Sequence, residues 1–417
     1  MISSHRLIQE AKQRLQTQGM RNLSKDIVNF AYRQTVRKGI ENLVQHQLTD
    51  RMLSVTEFKS GHIATRTWML DENIEGLSQE TTSNIMPLNG RDHLRYNKYP
   101  TFVFRQPFVS ELRNVTIVGP DAVPLTEQGT VIPETIHTPE NPDQNRLLRA
   151  VTSALIDNPS LLLPVLFSKS TVPKSTDSLD TAALLHSRWN NYYHWTLEHQ
   201  LKLRGIARYE AETERSVTLL IPPNPPTFIT ESLELLGFKN DRWREWNGGP
   251  INVDRLVVPS FPELTPKSLE WMRTRMFNAV PPVEDAPEWV YISRSNADKR
   301  RIINEAELQP IFEEYDVELV HCENLSMEEE IALFQATSGI IGAHGAGLTA
   351  AVWGTDLSMI EIFNDTIKSP YYILAHVLGH EYTAITGEPT GSATQRRNLD
   401  IDVNVPDVGR TLAAMMK

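Results

Sequence analysis

The stretch ATSGIIGAHGAGLTAAVWGTDLSMIEIF, residues 336–363, decides the fold prediction for this chain. An apolar run at 339–343 leads directly into His-Gly-Ala-Gly at 344–347, and a second apolar run ends at Glu361 and the residues after it. Short, wholly apolar runs are typical of strands buried in a parallel sheet. A glycine-rich turn after such a strand, with a short helix predicted from about Leu348, indicates the carboxyl edge of an open α/β sheet.

The same turn has the features of a cradle for a pyrophosphate. Glycines allow the backbone to come close to a ligand, and the N-terminus of a following helix favours an anion. The histidine would add a hydrogen-bond donor. The alternative is a tight turn with a capping histidine. The pattern is not GxGxxG, so a nicotinamide dinucleotide fold is not favoured. The predicted phosphate contacts are His344, Gly345, Ala346, Gly347 and Leu348.

Length and composition bound the class of protein. The chain has 417 residues, which predicts two or three domains, and its 40% hydrophobic and 22% charged residues are ordinary for a globular protein. A net charge of −11 argues against a general nucleic-acid binder. The lone Cys322, the absence of a long apolar run and the polar start MISSHRLIQEAKQR favour a cytoplasmic setting.

Patterns along the chain predict three regions. Residues 1–52 form a basic helical extension, which either packs on the next domain or lies on an anionic membrane face. Residues 53–262 begin with strand-like runs, including a hairpin turn at 119–121, and continue with alternating helices and strands. Residues 263–417 repeat that alternation. Alternation of this kind predicts α/β domains with a mainly parallel sheet.

Charged residues follow the predicted strands of the last region. Arg294 ends the predicted strand WVYISR, and Arg300 and Arg301 follow in a polar loop. Arginine binds phosphate through a planar fork, although the loop pair also fits a merely solvated charge run. Glu361 closes the strand after the glycine turn and would accept ribose hydroxyls. A buried, paired glutamate is the alternative interpretation.

A second group of polar residues stands in NNYYHWTLE, residues 190–198. His194 and Glu198 are four residues apart and would share one helix face, where either would serve as a general base. No further ligands at zinc spacing accompany them, so no metal site is predicted. For Tyr193 and Trp195 the sequence favours core packing.

Five motifs occur in the same order as in a known family and cover about residues 180–365. With them the chain resembles glycosyltransferase family 61, a group that includes capsular-polysaccharide-type enzymes. The motifs are NYYHWTLE (191–198), YISR…RRIINEAEL (291–308), LSMEEEIALFQAT (325–337), GAHGAGLTA (342–350) and MIEIF (359–363).

The resemblance implies a GT-B architecture, in which two Rossmann-like domains face each other across a cleft, with a helical N-terminal extension. Residues 53–262 would be the acceptor domain with a β-rich insertion, and residues 263–417 the nucleotide-sugar domain. Family members are inverting transferases that use donors such as UDP-sugars, and GT-B enzymes work without a catalytic metal. No cofactor is therefore expected.

The resemblance also implies roles and partners. Glu198 or His194 would be the base, and the residues named at 294–301, 344–348 and 361 would bind the donor. The acceptor, a glycan or lipid-linked hydroxyl in cell-surface polysaccharide or glycoprotein-glycan biosynthesis, would contact Asn191, Tyr193 and Trp195. The expected location is cytoplasmic, with residues 1–51 as an optional peripheral contact with the inner face of the plasma membrane. Two alternatives remain: a sugar-nucleotide epimerase or hydrolase, and a non-catalytic glycan-assembly subunit.

Overall fold

A computed structural model describes residues 37–45, 66–70, 79–80, 101–102, 106–136, 144–167, 170–186, 190–261 and 264–416. Most of the predicted basic extension, residues 1–52, lies outside these residues. Within it, helix α1 spans 37–45.

The chain divides into two compact units by its contacts. The first comprises Met1–Thr67, Glu111–Ala182 and Asn247–Leu256. The second comprises Trp68–Ser110, Ala183–Trp246 and Val257–Lys417. These bounds differ from the sequence-predicted boundaries after residues 52 and 262, which remain a prediction. All of the motifs singled out in the sequence lie in the second unit.

The first unit contains a β-hairpin and two helices, α2 (Gln144–Asp157) and α3 (Leu162–Phe167). The hairpin pairs the end of strand β4 with β5 in antiparallel register, with Thr116 opposite Leu125. The turn expected at 119–121 is confirmed, and Gly119 has a φ of +77°, which only glycine adopts readily. The core of this unit includes Val118, Val123, Leu125, Val151, Leu155 and Val165.

Seven described strands form the first sheet, in the order β1-β4-β9-β6-β7-β8, with β5 paired to β4. Two further short strands, β2 (Gln79–Glu80) and β3 (Thr101–Phe102), pair antiparallel. The strands of the sheet are β1 (Arg66–Met69), β4 (Phe108–Val118), β5 (Val123–Leu125), β6 (Ser178–Leu184), β7 (Thr218–Ile221), β8 (Trp243–Glu245) and β9 (Ile251–Pro259).

Helix α4 follows β6 and has three parts: Tyr192–His194, a π-helical turn at Trp195–His199, and Gln200–Thr213. Helix α5 (Thr227–Leu235) connects the parallel strands β7 and β8, so the predicted βαβ pattern is present here. The later helices are α6 (Pro266–Ala279), α7 (Gln309–Glu314), α8 (Met327–Ala336), α9 (Pro370–Leu378) and α10 (Val405–Met415).

The second sheet is parallel throughout its five described strands, and its order is β11-β10-β12-β13-β14. Numbered in chain order, this is the doubly wound 2-1-3-4-5 arrangement. The second strand is added on one side of the first strand, and the third and later strands are added on the other side. That switch point lies between β10 and β12. The strands are β10 (Trp289–Ile292), β11 (Val317–Val320), β12 (Gly339–Ala343), β13 (Ser358–Phe363) and β14 (Glu381–Thr386).

Both faces of the second sheet are covered, which explains the continuous apolar runs. Successive side chains of a strand point to opposite faces, so Tyr291 packs with Ile341 and Phe312, whereas Val290 packs with the residues of α8 on the other side. At Gly339 a Cβ would overlap the ring of Trp289 on the adjacent strand. The predicted α/β class with parallel strands is confirmed.

The short helix predicted from about Leu348 is present as a 3-10 helix, Ala346–Trp353. A 3-10 turn, Glu305–Leu308, comes directly before α7. A short β-hairpin joins β15 (Glu388–Thr390) and β16 (Asp400–Asp402).

Among the described helices, none alone has the length and apolarity to cross a membrane, although the bent pair Leu147–Asp157 and Pro159–Phe167 meets those criteria jointly.

Candidate functional site

The carboxyl ends of β10 and β12 bring Arg294 and the glycine turn together at the switch point. A Cβ on Gly345 would overlap the guanidinium of Arg294, so a larger residue here would displace the end of that flexible side chain. Arg294 donates from Nη2 to the carbonyl of Lys299 at 3.0 Å. Burial lowers the pKa of its guanidinium. The predicted meeting of this arginine with the turn is therefore present.

His344 is held from two directions. Its backbone N–H donates to the carbonyl of Ile362 at 2.8 Å, and its Nδ1 lies 2.5 Å from Oε1 of Glu361. The other oxygen of Glu361 accepts from the Tyr382 hydroxyl at 2.6 Å. Glu361 has no exposed surface. Its position matches the alternative interpretation, a buried paired glutamate, because both oxygens are already engaged and no ribose reaches them.

The carboxylate selects the tautomer of His344 in which Nδ1 carries the proton. Burial lowers the pKa of His344, Glu361 opposes that shift, and the charges of Arg300 and Lys368 lower the pKa further. A bound anion would reverse this last effect and favour a protonated Nε2 that donates to it.

Arg300 and Lys368 act on this histidine, and Arg294 and Arg397 act in turn on Arg300. We call these four residues, Arg294, Arg300, Lys368 and Arg397, the cation cluster. Burial, and then the charge of Arg294, lower the pKa of Arg300 to about 10. Burial, and then the charges of Arg300 and Arg397, lower the pKa of Lys368 to about 8. Like charges held this closely repel one another, so an anion placed among them would be stabilised.

The cluster retains unused hydrogen-bonding capacity. The Nε atoms of Arg294 and Arg300 are buried and have no hydrogen-bond partner within the described part of the chain. Glu361 acts on both Arg300 and Lys368, and its own oxygens are bonded to His344 and Tyr382. A ligand with several acceptor oxygens would satisfy these groups.

Sequence reasoning missed Lys368 and Arg397. Lys368 lies in a loop and Arg397 in a 3-10 turn, Arg396–Asn398. Both are beyond the motifs, and no local pattern distinguishes them from solvated charges. Arg301, in contrast, was predicted to bind phosphate, but it does not belong to the cation cluster. It is exposed and donates to Asp400 through Nη2 at 2.6 Å and Nε at 3.2 Å. Its contacts secure β16, because the Arg301 backbone N–H also donates to Asp400 at 3.0 Å.

Tyr371 of α9 contacts both the glycine turn and the motif at 191–198. Its hydroxyl donates to the carbonyl of Gly345 at 2.6 Å and lies 3.1 Å from the hydroxyl of Thr349. Its ring meets those of His344 and Tyr193 edge to face, each with centroids 5.7 Å apart. The glycine turn is thereby anchored against the start of α4.

His194 and Glu198 lie on one helix face, as the sequence predicts, and their side chains are in contact. Nδ1 of the histidine lies 2.8 Å from Oε2 of the glutamate, and both side chains are only partly exposed. Asn191 caps the helix by accepting from the His194 N–H at 3.1 Å. Burial, and then the negative charge of Glu198, raise the pKa of the neighbouring Tyr193. Glu198 lies in the π-helical turn, a form found often at functional sites.

Two named residues lie in the core. Trp195 is fully buried and donates from Nε1 to the Ser232 hydroxyl at 2.8 Å, which matches core packing and leaves no surface for an acceptor. Leu348 is also buried and packs in the same core. Its side chain therefore supports the turn and does not line a ligand site.

A cavity of about 570 Å³ opens beside the cation cluster. Arg294, Ala346 and Gly347 form one side of it, and Glu323 and Glu330 are its carboxylates. Glu330 accepts a hydrogen bond from the Tyr192 hydroxyl. Burial raises the pKa of Glu330 to about 7. Glu330 belongs to the motif at 325–337, but neither glutamate had been predicted as a site residue.

Within the described ranges, no group of three or more His, Cys, Asp or Glu side chains has an arrangement that would hold a metal ion.

Comparison with known proteins gives one family. Residues 192–359 match the family model of glycosyltransferase 61, about two fifths of the chain, whereas no curated protein matches it. The matched segment contains the His194–Glu198 pair, Arg294, Arg300, the cavity and the glycine turn. Residues 192–359 are therefore similar to the glycosyltransferase 61 family, and this similarity supports a glycosyltransferase in general.

Proposed function

We propose that this protein is an inverting glycosyltransferase that moves a sugar from a nucleotide-sugar donor, such as a UDP-sugar, to a hydroxyl of a glycan or lipid-linked acceptor. The observation that carries the proposal is the cation cluster at the switch point of the second sheet. A nucleoside diphosphate offers several charged acceptor oxygens, which would accept hydrogen bonds from the buried Nε atoms of Arg294 and Arg300.

The donor diphosphate would lie against Arg294, Arg300 and Lys368, with His344 donating from Nε2. During transfer the bond between the anomeric carbon and the phosphate oxygen breaks, and its electron pair leaves with the diphosphate. Charge therefore grows where the cations already stand. Preorganised groups of this kind are commonly worth about 3 kcal/mol each in the transition state.

The acceptor hydroxyl would attack the anomeric carbon from the opposite side while it loses its proton to the His194–Glu198 pair. The glutamate orients the imidazole, as carboxylates do in other histidine bases. The 2.8 Å contact between the two side chains supports their acting together. Asn191 and Tyr193, which flank the pair, would contact the acceptor.

The wider setting of the proposal comes from the family resemblance. In this setting, residues 53–262 and 263–417 form the two domains of a GT-B enzyme. Catalysis proceeds without a metal or cofactor. The setting further comprises a place in cell-surface polysaccharide or glycoprotein-glycan biosynthesis and a cytoplasmic location, with residues 1–51 as a peripheral membrane contact. Nucleic acid is not among the proposed partners.

The role of the base is tested by Glu198→Gln, which keeps the shape of the side chain and removes its charge. We expect kcat to fall by about 10²- to 10⁴-fold, the usual contribution of general base catalysis, with little change in donor KM. The measurement is sugar transfer at saturating donor, followed as release of the nucleoside diphosphate.

Glu212→Gln on the same helix is the matched control, because Glu212 pairs only at the surface with Arg208 at 2.8 Å. Equal rates for the two variants would refute the assignment of the base. Turnover of the donor without any acceptor would instead indicate an epimerase or hydrolase. Undiminished glycan assembly by both Glu198→Gln and His194→Ala would indicate a non-catalytic glycan-assembly subunit.

A further inference from the structure

The cavity and the cation cluster are adjacent and share one residue. Arg294 belongs to both, since its guanidinium is part of the cluster and its side chain lines the cavity with Ala346 and Gly347. A diphosphate bound at the cluster would therefore have its nucleoside next to the cavity opening. The volume of about 570 Å³ lies within the range of about 300–1,000 Å³ typical of small-molecule sites.

The walls of the cavity suit a flat base with a polar edge. Phe228, Leu325 and Met327 supply apolar surface, and the Phe228 ring packs edge to face on Tyr192 at 5.4 Å. Such a surface favours an aromatic ring over a free sugar, which needs more polar partners.

The rim of the cavity carries one exposed carboxylate, Glu323. It follows β11, the strand beside β10, and so stands at the strand end next to the switch point. Asn296 donates to its Oε1 at 3.1 Å, and Nδ1 of His321 lies 3.6 Å from the same oxygen. Both contacts that Glu323 makes with the described residues use Oε1, which leaves Oε2 as an acceptor.

In doubly wound folds that bind nucleotides, a carboxylate at such a strand end accepts hydrogen bonds from ribose hydroxyls. Glu361, the residue that the sequence suggested for this task, is buried with both oxygens engaged. We propose that the cavity holds the nucleoside of the donor and that Glu323, positioned by Asn296, accepts hydrogen bonds from the ribose 2′ and 3′ hydroxyls. This inference rests on the proposed nucleotide-sugar donor and identifies the residue that recognises its ribose.

The test compares ribose with deoxyribose at constant phosphate. The full-length protein is titrated calorimetrically with UDP, GDP, CDP and ADP, with the 2′-deoxy form of each, and with inorganic pyrophosphate. Wild type should bind at least one ribonucleoside diphosphate about tenfold or more tightly than its deoxy form, as expected for a lost hydrogen bond to a charged group.

Glu323→Ala should bring that ratio to within about twofold and leave pyrophosphate affinity unchanged. Glu318→Ala is the matched control, an exposed glutamate on β11 that does not line the cavity, and should behave as wild type. Thermal unfolding of each variant confirms that it is folded, which is expected because Glu323 is half exposed.

Equal binding of ribose and deoxyribose forms by wild type, or full discrimination by Glu323→Ala, would overturn the inference. Pyrophosphate binding without any nucleoside diphosphate preference would overturn it too, while leaving the phosphate site intact. If wild type binds neither pyrophosphate nor any nucleoside diphosphate, the proposed function fails together with the inference.

Discussion

Lys368 is a residue of the cation cluster whose charge pH can control. Its folded-state pKa of about 8 lies below its ordinary value of 10.5, because burial and the charges of Arg300 and Arg397 disfavour the ammonium. A diphosphate needs that ammonium. We expect the affinity for a bound nucleoside diphosphate to fall as the pH rises from 6.5 to 9, measured by calorimetric titration.

The same group affects folding with the opposite sign. Between about pH 8 and 10.5 the unfolded chain binds the Lys368 proton and the folded protein does not, so this group makes stability rise with pH. Lys368→Met should flatten both the binding trend and this part of the stability curve. Lys239→Met, an exposed control, should leave both as in wild type. A pH-independent wild-type affinity would exclude Lys368 from the phosphate site.

Substitution of Gly345 tests whether the glycine turn requires a residue without a Cβ atom. In Gly345→Ala the new methyl group would occupy the place of the Arg294 guanidinium, and the end of that flexible side chain would have to move. We expect donor affinity to fall by about tenfold or more, as for the loss of one charged hydrogen bond, with a smaller change in stability. Gly249→Ala is the control, since its Cβ would meet only Asn247 Oδ1 at 3.4 Å. Unchanged affinity in Gly345→Ala would show that Arg294 is not positioned by this contact.

At the scale of an element, the π-helical turn of α4 depends on a partner in α5. The indole N–H of Trp195 donates to the Ser232 hydroxyl, which in turn donates to the Ile229 carbonyl at 3.0 Å. Ser232→Ala leaves a buried indole N–H unpaired, which costs about 1–3 kcal/mol. We expect that loss in the free energy of unfolding in urea, together with a lower kcat because Glu198 shares the turn.

Thr230→Ala is the matched control on the same helix. Its hydroxyl makes a local, exposed bond to the Thr227 carbonyl at 3.0 Å, so its removal should change stability by less than about 0.5 kcal/mol. Equal effects of the two substitutions would show that the turn does not rely on Ser232.

At the scale of the whole molecule, ligand binding should be confined to the second unit. A nucleoside diphosphate at a hundredfold excess over its Kd stabilises the folded state by about 2.7 kcal/mol. Hydrogen exchange should then slow at the ends of β10 and β12 and not in the hairpin and helices of the first unit. Arg300→Ala should lose both effects. Protection that is strongest in the first unit would place the donor site elsewhere.

Local pattern alone identified much of this protein. The apolar runs of β10, β12 and β13 predicted buried parallel strands because both faces of such a sheet exclude water. The four-residue spacing of His194 and Glu198 predicted that they share one helix face, since about one helical turn separates them. The glycine turn predicted a site at a strand end, and residues 192–359 indeed match the family that the motifs suggested.

Other features depended on residues far apart in the chain. Arg294, Lys368 and Arg397 form one cluster only because the sheet order and the return of the chain after β14 place them together, and no local period encodes that. Burial reassigned two carboxylates: Glu361 became the partner of His344 inside the sheet, and Glu323 was left at the cavity rim. Local sequence therefore determined the elements and the strand end that carries the site. Tertiary structure decided which charges face a ligand, because burial and long-range neighbours set the availability of each group.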